Sequence, residues 1–224
     1  PWGAIEPHNY HLPYITDCIL SYEIACDAAD LAYDKGTTCM VLPPIYLGSQ
    51  NEGQWNKPFC IHAGSETQKA ILVDIVTSLY GQGLRDLVIV NGHGGNTFKP
   101  YVRDLRLTFP DFRLVVVDWF AFVPTDGYFE EKPDEHAGEQ ETSVMLHYHP
   151  ELVDLDNAGD GAVRPEKIAS LRNKTGWMPR NWDEVSKDTG IGNPAKSTAE
   201  KGKRYAKVVA ERISELLCDL KINK

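Results

Sequence analysis

Apolar residues recur at helical spacing from Ile19 and Leu20 through Ile24 and Ala28 to Leu31, and Gly36 supplies a stop. That pattern predicts a helix over residues 17–34. A short apolar run at 39–42 predicts a strand closed by Pro43 and Pro44, and a loop rich in Gly, Asn and Pro follows over 45–64. Ser65-Glu66-Thr67-Gln68 has the spacing of a capping box, opening a helix to about Tyr80, with Gly81 and Gly83 behind it. Leu87-Val88-Ile89-Val90 is apolar at every position, the mark of a strand covered on both faces. A helix over 97–107 comes next, then a second apolar strand, Arg113–Asp118, a loop over 120–135 and a helix over 139–149. Residues 155–192 have little periodicity and are expected to wrap the surface. Trp177 and Trp182 within them are expected to be exposed anchors for self-association. Ser197-Thr198-Ala199-Glu200 repeats the capping pattern and opens a last helix to about Leu217. Strands alternating with helices imply an α/β chain, a three-layer α/β/α sandwich with a mostly parallel central sheet. Ligands bind at the carboxyl ends of strands in such sheets, so a site is expected after Val90 and after Asp118.

Composition narrows the class. The 224 residues, 42% of them hydrophobic, fit a single domain over 1–224 with a sizeable core. A formal charge of -9 argues against nucleic acid as the main partner. No apolar run is long enough to span a bilayer, so no membrane partner is expected, and no signal peptide is visible. The chain opens directly in a segment dense with polar chemistry, so its first strand is expected to be truncated at Pro1. Cys18, Cys26, Cys39, Cys60 and Cys218 are scattered, without a Cys-x-x-Cys pair. They read as buried thiols of a reducing, cytoplasmic compartment.

Three segments carry candidate chemistry. In the first, Glu6 and His8 share one face if the segment is extended, as Pro7 and Pro13 favour, and Asp17 faces back from the opening of a helix. A carboxylate, an imidazole and a second carboxylate converging on one point suit a divalent transition metal; a polar surface loop is the alternative. The second is Asn91-Gly92-His93-Gly94-Gly95-Asn96, whose glycines let the backbone turn sharply under a ligand. A plain strand-to-helix turn is the alternative, and a phosphate cradle is disfavoured because neither phosphate-loop pattern is present. The third, Asp134 to Ser143, holds four acids around His136 where a helix begins. The macrodipole accounts for Glu139 or Glu141 there but not for His136, since a cation is disfavoured at that end. Five mixed nitrogen and oxygen donors suit two metals with one bridging carboxylate. His62, His147 and His149 lie outside these segments and read as surface or packing residues.

Gly3-Ala4-Ile5-Glu6-Pro7-His8-Asn9-Tyr10-His11-Leu12-Pro13 with Thr16-Asp17, then Asn91 to Asn96, then His136-Ala137-Gly138-Glu139-Gln140-Glu141-Thr142-Ser143, resembles the creatininase (creatinine amidohydrolase) family. Gly190-Ile191-Gly192-Asn193-Pro194 through Gly202 is similar to that family's end, so the resemblance spans nearly the whole chain. It implies an amidohydrolase that cleaves cyclic or linear C–N amide bonds with a metal-activated water. Two divalent ions (zinc with zinc, manganese or iron) and a homohexamer are implied with it. By motif, Glu6, His8, Asp17 and His93 take metal-ligand positions, with Asp17 as the bridge. Creatininase proper has a glutamate where this chain has Gly95; Glu141 is expected to fill that role, with Glu139 the alternative. His136 falls at the catalytic histidine, with Glu135 beside it. The first motif usually reads Glu-Gln-His-Gly-Pro-His, so Pro7, Asn9 and Tyr10 alter its loop. The family's Ser-Pro-Glu-His and Pro-Gly-Thr are replaced by residues 50–55 and 62–64. That loop is expected to line the pocket and to shift specificity away from creatinine. A formamide deformylase or small peptidase on the same site is the alternative, and a metal-free binding or structural protein the alternative of another class.

Overall fold

Alternate residues of one strand set the layer order. A computed structural model describes residues 1–222. The elements are α1 (Thr16–Asp34), α2 (Ser65–Gly81), β1 (Asp86–Asn91), α3 (Lys99–Thr108), β2 (Arg113–Asp118), α4 (Glu139–Tyr148), the one-turn α5 (Ala169–Arg172) and α6 (Trp182–Val185), and α7 (Ala199–Ile222). β1 and β2 pair in parallel, Leu87 opposite Leu114 and Ile89 opposite Val116. Side chains alternate across a strand. Val88 and Val90 therefore enter a core made by Leu20, Ile24 and Ala28 of α1, Val144 and Met145 of α4, and Tyr205, Val209 and Ile213 of α7. Leu87 and Ile89 enter the opposite core, with Leu72 and Val76 of α2 and Tyr101 and Leu105 of α3, closed by Trp2 and Phe112. Burying one such side chain contributes about 1.5–3 kcal/mol. With both faces of β1 apolar, helices on both sides are the arrangement that buries them, and the α/β/α sandwich follows.

Beyond the two strands the sheet continues by single rungs. Trp2 bridges both Asn91 and Ile45 in parallel, with Trp2 N donating to Val90 O at 2.9 Å and Gly92 N to Trp2 O at 2.9 Å. The amino-terminal segment thus runs alongside β1 and delivers Glu6 and His8 to the carboxyl end of the sheet. The strand expected at 39–42 does not form: Cys39 and Met40 are exposed, and pairing begins only at Ile45, past the two prolines that have no N–H to donate. The first capping box is also absent. Gly64 is the N-cap of α2, and Gln68 instead donates to Asn96 Oδ1 at 2.8 Å. Before α7 it is Thr198 that caps, accepting from Lys201 N at 3.2 Å. All five cysteines are free thiols, but only Cys18 is fully buried.

The crossing of α4 and α7 depends on Gly202. A Cβ there would lie 1.9 Å from Ser143 O and 2.3 Å from its carbonyl carbon, both backbone atoms that cannot swing aside. Gly202→Ala therefore pushes apart the two helices of this core and moves the turn that carries Glu141. The expected cost is about 1–3 kcal/mol, read as a lower urea midpoint at unchanged m. An unchanged midpoint would mean the helices separate freely.

Candidate metal centre

The site lies where the amino-terminal segment, the loop after β1 and the start of α4 meet. Glu6 and His8 are two apart in an extended stretch, so their side chains leave on the same side. Asp17 sits in the first turn of α1, and His93 follows β1 in the glycine loop. Glu6, Asp17 and His93 each place a donor atom within 4.8 Å of the other two, and so do His8, Asp17 and Glu141. The two groups share Asp17. Its Oδ1 is 2.9 Å from His8 Nε2 and its Oδ2 is 3.1 Å from His93 Nδ1. His93 Nδ1 is also 2.7 Å from Glu6 Oε1, and His8 Nε2 is 4.0 Å from Glu141 Oε2.

Backbone carbonyls fix which imidazole nitrogen faces the cluster. A carbonyl only accepts, so the ring nitrogen beside it must carry the proton. His93 Nε2–H donates to Ser49 O at 2.7 Å, His8 Nδ1–H to Glu6 O at 3.1 Å, and His136 Nε2–H to Pro7 O at 2.8 Å. The remaining nitrogens, His93 Nδ1, His8 Nε2 and His136 Nδ1, are turned toward the acids. Anchoring of one ring nitrogen so that the other is presented is how metal-binding histidines are oriented.

Electrostatics asks for added positive charge here. Glu6, Asp17 and Glu141 are 1%, 2% and 9% exposed, and buried charges persist only when paired or metal-bound. Burial pulls His8 down, but the charge and hydrogen bond of Asp17, with Glu141 and Glu6 behind it, outweigh that and hold its pKa up at about 10. Burial likewise opposes His93, and Glu6 and Asp17 raise it well above the ordinary value. For Asp17, burial works upward and is outweighed by His8 and His93, which hold it well below the carboxylate range. Glu141 is raised, by burial first. Asp17 Oδ2 is buried, and its 3.1 Å contact with His93 Nδ1 falls short of hydrogen-bond geometry. An acid-rich, buried donor set with an unsatisfied carboxylate oxygen at its centre fits divalent cations.

A scan against family models matches residues 1–217 to creatininase, described as creatinine amidohydrolase. The chain belongs to the creatininase family. It is accordingly a hydrolase of carbon–nitrogen bonds. The mycofactocin precursor peptide peptidase of Mycobacterium ulcerans is 33% identical over 96% of this chain and 82% of its own. The creatinine amidohydrolase of Pseudomonas putida is 30% identical over 71% of this chain and 67% of its own. Among solved structures, a Bacteroides fragilis protein provisionally named creatinine amidohydrolase is 55% identical, with a TM-score of 0.96 over 98% of this chain and 87% of that one.

Set against the family's motifs, Gly95 has a steric reason. A Cβ there would lie 2.2 Å from Ser49 O and 2.5 Å from His93 Nε2, so no glutamate fits at that position with this loop. Glu141 approaches His8 from α4 instead, its Oε2 also accepting from Ala137 N. Glu139, the alternative, is engaged elsewhere: Oε2 accepts from Glu130 N and Glu131 N at 2.7 and 2.8 Å, and Oε1 pairs with Lys201. His136 stacks on His8 at 4.3 Å between ring centroids, with Nδ1 3.8 Å from Glu6 Oε1. Glu135, expected beside it as a catalytic carboxylate, lines the same cavity and pairs with Arg180 Nη1 at 3.0 Å. Trp182, expected as an exposed anchor, is 5% exposed and packs edge-on against His136 at 5.5 Å; Trp177 is exposed as expected. His11 stays outside the cluster, bonded to Thr142 Oγ1 at 2.8 Å and held by burial at a pKa of about 4. Sequence reasoning missed Gln54, whose Nε2 donates to Glu6 Oε2, along with the carbonyls of Ser49 and Pro7. Gln54 falls within residues 50–55, the stretch expected to line the pocket, but nothing in the sequence pointed to its bond with Glu6.

Proposed function

We propose that the chain hydrolyses an amide C–N bond at a two-metal centre, with Glu6, Asp17 and His93 holding one ion and His8, Asp17 and Glu141 the other. The observation that carries this reading is Asp17, which belongs to both donor groups and turns its two oxygens to different imidazoles. Zinc with zinc, manganese or iron suits these mixed donors, and two such ions supply a water of lowered pKa and polarise a carbonyl oxygen. His136 Nδ1, bare because Nε2–H is held by Pro7 O, takes a proton during attack and returns it to the departing nitrogen. Trp182 keeps the ring in place and water away from its edge. Glu135 acts from the cavity mouth on the substrate, with Arg180. The homohexamer implied by the family belongs to the same reading, with exposed Trp177 as the remaining anchor.

The cavity above the centre has a volume of about 780 Å³. Cavities of roughly 300–1,000 Å³ hold drug-sized ligands, so a substrate larger than creatinine suits it. The peptidases among the relatives favour a linear amide as a second reading. Metal-loaded protein should hold two equivalents per chain and should turn over hydantoins, formamidopyrimidines or short peptides faster than creatinine. Protein that takes up no metal would favour the binding-protein alternative. Creatinine as the best substrate would overturn the role given to residues 50–62.

A further inference from the structure

Four glutamines line the cavity, and three are engaged. Gln54 donates to Glu6 and accepts from Asn51 N, Gln68 donates to Asn96 and Leu47 O, and Gln140 donates to Phe120 O. Gln50 differs. It is 7% exposed, and neither Nε2 nor Oε1 has a hydrogen-bond partner. Its backbone is held, N donating to His62 Nδ1 at 2.9 Å, so the residue is fixed in place while its functional group is left unpaired. A buried amide without partners destabilises the free protein. Such local violations concentrate at functional sites. Gln50 lines the same cavity as Glu6, Asp17 and His136.

We propose that Gln50 is a specificity residue. It turns its carboxamide out to the cavity and pairs with a substrate group that presents a donor and an acceptor side by side: a lactam, a ureide or a primary amide. This rests on the reading that the cavity takes an amide substrate. Rotation about the side chain's two methylene bonds exchanges the unpaired interior position for the cavity face. One edge of a carboxamide offers C=O and N–H together, the arrangement by which glutamine makes two parallel bonds to adenine. A trans peptide bond presents its N–H and C=O on opposite sides, so it satisfies only half of Gln50. A site built to hydrogen-bond in this way rejects analogues that lack the groups.

The test uses metal-loaded wild type and Gln50→Met, with hydantoin and its doubly N-methylated form as probes, by calorimetry. If hydantoin is turned over, KM replaces Kd. Wild type should prefer hydantoin by about tenfold or more, and Gln50→Met should bind both probes alike. Without probe, the melting temperature of Gln50→Met should equal or exceed that of wild type, because an unpaired polar group has been removed. Three results would overturn the proposal: no preference in wild type, a preference that survives in the variant, or a lower melting temperature, which would mark the carboxamide as structurally satisfied. Failure to hydrolyse any amide, with the preference intact, would sink the proposed reaction and leave Gln50 standing.

Discussion

His136→Ala should lower kcat by about 10²–10⁴ while both metal equivalents stay bound. The ring is oriented from three sides: Nε2–H on Pro7 O, one face on His8 and Trp182 at its edge. Nδ1 stands 3.8 Å from Glu6 Oε1, too far for a direct hydrogen bond, so that nitrogen is not committed to the carboxylate. The main chain does not depend on the side chain. His136 N donates to Ile191 O at 3.1 Å, and Ile191 N to His136 O at 2.8 Å, so alanine leaves the backbone in place. The competing role is visible in the same geometry, since Glu6, His8 and His136 also form a donor group that could hold an ion. Metal analysis of the purified variant separates the two. Loss of a full equivalent makes His136 a ligand, whereas lost turnover with metal retained makes it the proton carrier.

The parts of the fold set by periodicity were legible in the chain. The helix predicted over 17–34 is α1, Thr16–Asp34, and the uninterrupted apolar run at 87–90 lies within β1 between two helical layers. The expected donors Glu6, His8, Asp17, His93 and Glu141 do come together, because spacing and chain direction decide where side chains in regular or extended segments point. The orienting shell was not legible. The carbonyls of Ser49 and Pro7 belong to backbone that every residue has, and only the closed fold shows which ones meet an imidazole. Gln54 lies in an aperiodic loop and Trp182 opens the single turn of α6 within an aperiodic segment, so nothing local told buried from exposed. The run at 39–42 failed for the opposite reason. Its local apolar pattern was real, but Pro43 and Pro44 displace the pairing to Ile45. Glu135 was placed by adjacency to His136; it lines the same cavity, and its pairing with Arg180 at 3.0 Å could not be read from local sequence.

Asp17→Asn should cost both metals together. Each carboxylate oxygen faces a different imidazole, Oδ1 toward His8 and Oδ2 toward His93, and two dications held close together need the charge between them. Asparagine keeps the size, removes the charge and replaces one ligand oxygen with an amide nitrogen that does not coordinate. Substitution of an outer residue that only orients a ligand typically weakens metal binding about 10–100-fold; loss of the shared carboxylate should exceed that at both positions, and turnover should fall with it. His8→Ala, by contrast, should strip mainly the ion shared with Glu141. The pH dependence gives a second readout. In wild type Asp17 is the leading partner that holds a proton on His8, whose pKa stands at about 10, so metal must displace that proton and affinity should climb with pH through the neutral range. Without the Asp17 charge the proton is held less firmly, so the slope should flatten while the affinity drops. A helix-end aspartate would behave otherwise. The N-cap of α1 is Ile15 and no side chain caps it, so an Asp17 that served only the helix would contribute about 0.3–1 kcal/mol through the macrodipole. Its replacement by asparagine would then leave metal content and activity nearly untouched. Two tightly held metals in Asp17→Asn, with full turnover, would reduce Asp17 to a first-turn residue and leave the two-metal reading without its centre.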